Sequence, residues 1–265
     1  MLKSRNFTLP LLLLTAGGPL FGANDCIIAT SDGRTIKTSR IEVRENGDLE
    51  YHAPGGKTRN RIARGRYRYA QIPKPAAVTE ADQKFREQQW KSAAALFNRA
   101  GKKYKQVGWQ VYCIRMEAES LARSGEKERA EKLLSDLHAI RETNPLQERE
   151  RELADDFLAS LLIDRKQFDQ AEKILNRQLR LADSDLVFSA YFKKAVILQN
   201  RGQLRQSVRQ FYQAALLFPR HARRAEALYN VWNLLAELKD PEAAKIAEML
   251  KREYPESQFA KQVFF

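Results

Sequence analysis

Two patterns of hydrophobic and polar positions divide the chain. Between residues 24 and 75, apolar or β-branched positions alternate with polar ones in short runs, and turn signals such as Ser31-Asp32-Gly33 and Asn46-Gly47 separate the runs. A period of two is typical of β-strands. This part therefore predicts a small module of four or five short strands. Because so short a segment buries little core of its own, we expect it to pack on the rest of the chain.

Residues 76–265 have helical periodicity, and the pattern repeats. A small residue recurs at spacings of 37, 41, 36 and 36, and other columns recur in step with it. The repeating column is Ala93, Ala130, Ala171, Ser207 and Ala243; twelve residues earlier stand Ala81, Ala118, Ala159, Ala195 and Val231; four residues later stand Phe97, Leu134, Leu175, Phe211 and Ala247. Small residues let two antiparallel helices approach, and the bulky residue fills the groove beside them. The columns predict about five helix pairs, which stack because one pair cannot bury its apolar face alone.

Turn residues agree with this division. Gly125 and Gly202 fall between the two helices of a pair, whereas Lys166 stands at that place in the third repeat. The tryptophans, including Trp90, lie within the repeats, and we expect them in the core because apolar residues at helical spacing usually face it. If exposed, they would instead mark a binding groove.

Two stretches carry a family resemblance. Residues 211–219, Phe-Tyr-Gln-Ala-Ala-Leu-Leu-Phe-Pro, and residues 89–100, which begin Gln-Trp-Lys-Ser-Ala, resemble the tetratricopeptide repeat, whose usual period is about 34 residues. The ending Tyr254-Pro255-Glu256-Ser257 is similar to bacterial envelope repeat proteins such as the Tol–Pal cell-division coordinator and the lipoprotein of the outer-membrane barrel assembly machine. The resemblance implies a repeat scaffold in the cell envelope, and it names no partner.

The strand-rich part also resembles a known module. Residues 27–36, followed by a glycine turn and a closing strand, resemble small barrels of Src-homology-3-like type. The expected fold is therefore mainly α, a tetratricopeptide-like helical-repeat solenoid of about five helix pairs preceded by a small β-barrel-like module. The expected domains are a signal peptide at 1–23, the β-module at 24–75 and the solenoid at 76–265.

The N-terminus has the layout of a secretory signal peptide. Lys3 and Arg5 precede a short apolar run, and small residues lead to a cleavage point after Ala23. We therefore expect an exported protein, periplasmic or otherwise in the envelope, with no transmembrane span after cleavage. In such a compartment Cys26 and Cys113 could pair; alternatively both are unpaired thiols, with Cys113 in the core of a helix.

The formal net charge of +13 favours anionic partners. The densest basic run is Lys57, Arg59, Arg61, Arg64, Arg66 and Arg68. If 57–62 is one strand, Arg59 and Arg61 share a face, and Arg64, Arg66 and Arg68 share a face of the next stretch. The run either binds anionic polymer or lipid headgroups, or it pairs with acidic helices, or it protects a sheet edge from aggregation.

Residue patterns for catalysis are lacking. The three histidines have no metal-ligand spacing, and no phosphate loop or nucleophile motif occurs. Carboxylates such as Glu150 and Asp156 look like solvated helix faces. A second basic cluster, residues 220–224, either meets an acidic partner or is a solvated turn. We expect no enzyme, no metal, no cofactor and no nucleic-acid ligand.

The sequence thus predicts a non-enzymatic scaffold or assembly factor that binds a peptide or protein in the concave face of its repeats. The alternative is an adaptor that holds anionic envelope polymer or lipid headgroups through the basic run of the β-module.

Overall fold

The computed structural model describes residues 26–52, 58–137, 140 and 144–263. Six β-strands precede ten α-helices in this part of the chain. The strands are β1 Cys26–Thr30, β2 Thr35–Thr38, β3 Ile41–Val43, β4 Leu49–His52, β5 Arg59–Ile62 and β6 Tyr67–Gln71. The helices are α1 Ala76–Arg86, α2 Trp90–Lys103, α3 Gln110–Arg123, α4 Lys127–Leu137, α5 Glu148–Asp164, α6 Phe168–Gln178, α7 Ser184–Asn200, α8 Leu204–Leu217, α9 Arg224–Glu237 and α10 Glu242–Glu253.

The β-module consists of two small antiparallel sheets. One has the strand order β2-β1-β6 and the other β3-β4-β5. Their inner side chains share a core around Ile28 and Leu49, both fully buried. Six strands exceed the four or five expected, and within the described residues the two sheets do not close into a barrel. The difference arises because the run at 35–43 is interrupted after Thr38, which splits it into β2 and β3.

The module packs on the helical part, as its size suggested. Val107, between α2 and α3, lies in the core of the β-module, with Tyr104 against it. The Ile72 N–H donates to the carbonyl of Val107 at 3.3 Å, and the indole N–H of Trp109 donates to the carbonyl of Ile72 at 3.0 Å. The strands and the first helices therefore share one set of contacts.

The helices pack as five successive pairs, and every pair has the same turn. At each turn the second residue after the helix end has a positive φ, and two backbone hydrogen bonds close the helix in the manner of a Schellman motif. In the third pair, for example, Gln167 N–H donates to Leu162 at 2.8 Å and Lys166 N–H to Ile163 at 2.9 Å. The five positive-φ residues are Gln88 (59°), Gly125 (95°), Lys166 (59°), Gly202 (75°) and Lys239 (53°).

The repeat columns occupy the contacts between helices. Fourteen of the sixteen signature residues are buried, counting the three columns and Trp90; Trp90 and Ala243 are partly exposed. Ser207, the one hydroxyl in the small-residue column, donates to the carbonyl of Ala195 at 2.8 Å, which satisfies its buried oxygen. Trp90 and Trp109 pack against the core formed by α1, α2 and α3, and Trp232 is buried between later helices.

Candidate functional site

The first helices of the pairs form one continuous face. α3 contacts α5, and α5 contacts α7, whereas second helices of neighbouring pairs approach one another less closely. Closer approach on one side curves a stack of repeats toward that side. We call the side formed by α1, α3, α5, α7 and α9 the inner face. Several of its polar side chains bind to one another across helix boundaries.

The network begins between α1, α3 and α5. The Tyr112 hydroxyl donates to Asp82 at 2.7 Å, and burial raises the pKa of Tyr112. Arg115, with 12% of its side chain exposed, pairs with Glu119 at 2.5 Å and with Glu150 at 2.7 Å. Burial alone would lower the pKa of Arg115, but the two carboxylates outweigh it and raise the pKa. Three successive pairs are thereby joined through polar contacts.

The network continues from α5 to α7. The Lys193 ammonium group donates to the carboxylate of Asp156 at 2.6 Å and to its backbone carbonyl at 2.6 Å, and Ser189 donates to the same carboxylate at 2.8 Å. Burial lowers the pKa of Lys193, and Asp156 opposes that effect. The expectation that Glu150 and Asp156 form solvated faces was therefore wrong, because each lies between two helices and has a cationic partner.

A recess of about 190 Å³ opens on the inner face between α5, the start of α7 and the turn before α9. The fully buried ring of Phe188 lies beneath the recess, and the His221 ring stacks on it at a centroid distance of 3.6 Å. Leu153 contributes a partly exposed apolar side chain to the wall. Asp183 caps the start of α7 by accepting from Asp185 N–H at 3.0 Å, and Arg149 donates to it at 3.1 Å.

The charges around the recess do not balance. Asp156 has Lys193, Asp183 has Arg149, and Arg223 donates to Glu226 at 2.7 Å. Among the described residues, the basic group that the Asp185 carboxylate meets is His221, at 3.5 Å. Burial lowers the pKa of His221, so the imidazole is neutral at neutral pH. Within the described part of the chain, the carboxylate of Asp185, 39% exposed, is therefore the charge of the recess without a cationic partner.

Two members of the basic cluster at 220–224, Arg223 and Arg224, bind within the protein, whereas Arg220 is exposed in the turn. Arg224 is 9% exposed, and its guanidinium donates to the carbonyl of Ala215 at 2.8 Å, to the Tyr254 hydroxyl at 2.9 Å and to Glu253. Arg223 lies over the ring of Phe192 at 4.2 Å while it pairs with Glu226. These cations meet acids and aromatic rings of the chain itself, and they fix the last two helix pairs together.

The structure separates the basic run of the β-module into parts. Lys57 lies outside the described residues. Arg59 and Arg61 are exposed on β5, an edge strand, and Arg61 donates to Asp48 at 2.7 Å. Arg64 and Arg66 lie in the turn before β6. The prediction that they share a strand face with Arg68 was therefore wrong. The turn at Gly65 (φ 87°) delays the start of β6 to Tyr67.

Cys113 is a free thiol buried in α3, and burial raises its pKa to about 12. This matches the alternative in which it belongs to a helix core. In the described ranges, no group of His, Cys, Asp and Glu side chains has the arrangement of a metal site. No helix in that part of the chain is long and apolar enough to cross a bilayer.

Comparison with known proteins shows the fold. Neither a protein-family model nor a curated protein matches the sequence. Solved structures do match, at low identity. The P. vanneervenii BtubC structure is 17% identical, with a TM-score of 0.56, over 65% of this chain and 76% of that one. A putative kinesin light chain of Podospora anserina with nearly identical TPR-like repeats is 16% identical, with a TM-score of 0.53, over 69% of this chain and 95% of that one. MamA from Desulfovibrio magneticus RS-1 is 14% identical, with a TM-score of 0.52, over 69% of this chain and 98% of that one.

These similarities show that the helical part has a tetratricopeptide-like repeat fold. They cover about two thirds of the chain, which corresponds in extent to the helices.

The inner-face network was missed from the sequence, although a signal for it exists. Partners on successive first helices lie about one repeat apart, as in Arg115 and Glu150 with a separation of 35, or Arg149 and Asp183 with 34. A search for opposite charges at the repeat period would have found both pairs.

Proposed function

We propose that the protein is a non-enzymatic scaffold that binds a peptide segment of another protein on its inner face, at the recess between α5 and α7. The observation that carries the proposal is the carboxylate of Asp185, which has no cationic partner among the described residues, beside the partly exposed apolar side chain of Leu153. The complementary segment carries a lysine or arginine next to an apolar residue. Its cation would pair with Asp185 and its apolar side chain would cover the recess.

The recess is also well prepared for binding. Its walls are fixed by the Arg149–Asp183 and Lys193–Asp156 contacts, and its floor by the Phe188–His221 stack. A site whose side chains are already held in place loses little conformational entropy when a ligand arrives. The repeat fold supplies the extended surface on which the rest of a segment can lie.

A peptide selection tests the proposal. Random 12-residue peptides displayed on phage are selected against the full chain, and enriched peptides are synthesised and titrated by calorimetry. We expect basic residues next to apolar ones in the enriched set, and affinity reduced about tenfold in Asp185→Asn, since a charge-assisted contact is lost. The matched control is Asp136→Asn on α4, an exposed acid of a second helix.

Equal binding of the enriched peptides to wild type and Asp185→Asn would refute the assignment of the site. Enrichment of acidic peptides would refute the assigned partner chemistry. Thermal unfolding of both variants confirms that neither substitution acts through the fold.

We also propose export to the bacterial envelope, with the N-terminal module as a small Src-homology-3-like unit. The support is the signal-peptide layout of residues 1–23, which lie outside the described residues, together with the resemblance of residues 27–36. N-terminal sequencing of the protein from its host's envelope fraction tests export, and a mature chain that begins at Asn24 is the expected result.

A second function, retention of anionic material by the β-module, is favoured by one observation. Arg64 and Arg68 of the basic run face a polar cavity beside the helices rather than open solvent alone.

A further inference from the structure

A cavity of about 330 Å³ lies where β6 meets the segment that joins α2 to α3. One wall comes from the β-module and the other from the helical part. The two walls are tied by the hydrogen bonds of Ile72 to Val107 and of Trp109 to Ile72, and by the burial of Val107 in the β-module core. The two walls are therefore held against each other. It is separate from the inner face on which the peptide proposal rests.

The backbone approaches unusually closely at one side of this cavity. Gly108 has a φ of 86°, and a Cβ there would stand 1.8 Å from the side-chain oxygen of Gln71. That oxygen accepts a hydrogen bond from the Asn144 amide at 2.9 Å. Only glycine fits both the conformation and the space. Gln71 of β6 thereby holds Asn144, which lies in the segment before α5 and lines the cavity.

The charge of the cavity has one sign. Its described lining includes Arg64, Arg68 and Lys105 and no carboxylate. Arg64 binds Asp48 through its backbone N–H at 2.8 Å, and among the described residues its guanidinium has no carboxylate partner. The exposed ammonium group of Lys105 approaches from the helical side. Two cations, Arg64 from the β-module and Lys105 from the helical part, thus line a space to which no described residue contributes a carboxylate.

The rest of the lining is rich in amides and contains a tyrosine ring. Gln106, Gln110 and Gln147 contribute side-chain amides, and Tyr69 contributes an aromatic ring. The side-chain oxygen of Gln106 is buried and accepts no hydrogen bond from the residues that the structure describes. A buried acceptor without a donor is unfavourable, so a ligand with a hydroxyl group that donates to it would gain affinity.

We propose that this cavity binds an anionic sugar unit, a sugar acid or a sugar phosphate. Arg64 and Lys105 pair with the anionic group, while the amides and Gln106 in particular bind hydroxyls. The volume lies at the lower end of the range for small-molecule sites, which suits one sugar unit and not a large ligand. The mostly polar lining fits a hydroxylated ligand better than a lipid chain.

Calorimetric titration of the full chain with four probes tests the proposal: glucose 6-phosphate, glucuronate, glucose and inorganic phosphate. We expect saturable binding of at least one of the two anionic sugars, and weaker binding of glucose and of phosphate by on the order of tenfold each, because each lacks one set of contacts. Absence of saturable binding by both anionic sugars would overturn the proposal. Phosphate that binds as tightly as glucose 6-phosphate would overturn the role of the hydroxyl contacts.

Matched variants identify the contacts. Arg64→Gln and Lys105→Gln should each weaken binding of the anionic sugar by about tenfold. Arg66→Gln changes the same charge two residues from Arg64, outside the cavity lining, and should leave binding unchanged. Gln106→Leu should weaken the anionic sugar but not inorganic phosphate. Equal loss in Arg64→Gln and Arg66→Gln would show diffuse attraction by the basic module and would refute the site.

Discussion

The turn at Lys166 yields the most direct prediction about the fold. The Lys166 side chain is exposed, and the hydrogen bond that the structure describes for this residue comes from its backbone N–H. Its φ is 59°, a conformation that costs a non-glycine residue roughly 1–2 kcal/mol. Glycine removes that cost but loses about 0.5–1 kcal/mol through its more flexible unfolded state. With the middle value of each range, Lys166→Gly should therefore stabilise the protein by about 0.75 kcal/mol, which raises the Tm by roughly 2 °C in a chain of this size.

The reverse substitution should have the opposite effect. Gly202 occupies the same place in the fourth pair with a φ of 75°, and a Cβ there would meet no atom within 4 Å. Gly202→Ala therefore imposes backbone strain without a steric clash, and we expect a loss of about 1 kcal/mol. The cost would come from the conformation alone, as would the gain at Lys166.

Far-UV circular dichroism during thermal and urea unfolding measures both changes. The control is Lys173→Gly, an exposed lysine inside α6 of the same helix pair, where glycine should cost about 1 kcal/mol. A stabilising Lys166→Gly with a destabilising Lys173→Gly supports the equivalence of the five turns. If both substitutions destabilise to a similar degree, the left-handed turn at Lys166 is refuted.

Three further substitutions or conditions test the packing and the polar network. Arg115→Met should leave Glu119 and Glu150 without their cation and destabilise by about 3 kcal/mol in urea unfolding, and addition of Glu150→Gln should restore part of that loss. Phe211→Ala, at a fully buried position, should cost roughly 3–5 kcal/mol, whereas a cost below 1 kcal/mol would contradict its place in the core. Hydrogen bonds from the Arg64 backbone and from the Arg61 side chain lower the pKa of Asp48. The ionised Asp48 carboxylate therefore stabilises the fold fully above the ordinary aspartate pKa of about 3.9. This stabilisation is lost as the pH falls through the lowered pKa. Unfolding midpoints from pH 7 to 2 should consequently show a smaller acid-induced loss in Asp48→Asn than in wild type.

Much of the helical architecture could be predicted from the sequence because it depends on residue size at a fixed spacing. The small residues that recur once per repeat, and the bulky residues four positions later, indicate where two helices pack closely. Gly125 and Gly202 indicate two of the turns. The turns at Gln88 and Lys239 were not predicted, because a residue other than glycine gives no sign of a positive φ. There the surrounding helices impose the conformation against the local preference.

The inner face was harder to predict, because its contacts depend on side chains about one repeat apart that meet only after the helices stack. Arg115 and Glu150 each look like ordinary surface charges in their own helix, and their burial arises from the neighbouring pair. The recess at Asp185 depends in addition on the His221 ring, which comes from the turn before α9. A search limited to one repeat contains none of these contacts.

The central claim is that a basic, partly apolar peptide binds at the recess of the inner face. Hydrogen–deuterium exchange of the full chain, measured with and without the tightest peptide from the phage selection, tests it most directly. The account predicts slower exchange in the segments of α5 and α7 around Leu153 and Asp185, with little change in the second helices or in the β-module. Protection confined to the second helices or to the β-module would contradict the account and place the binding surface elsewhere.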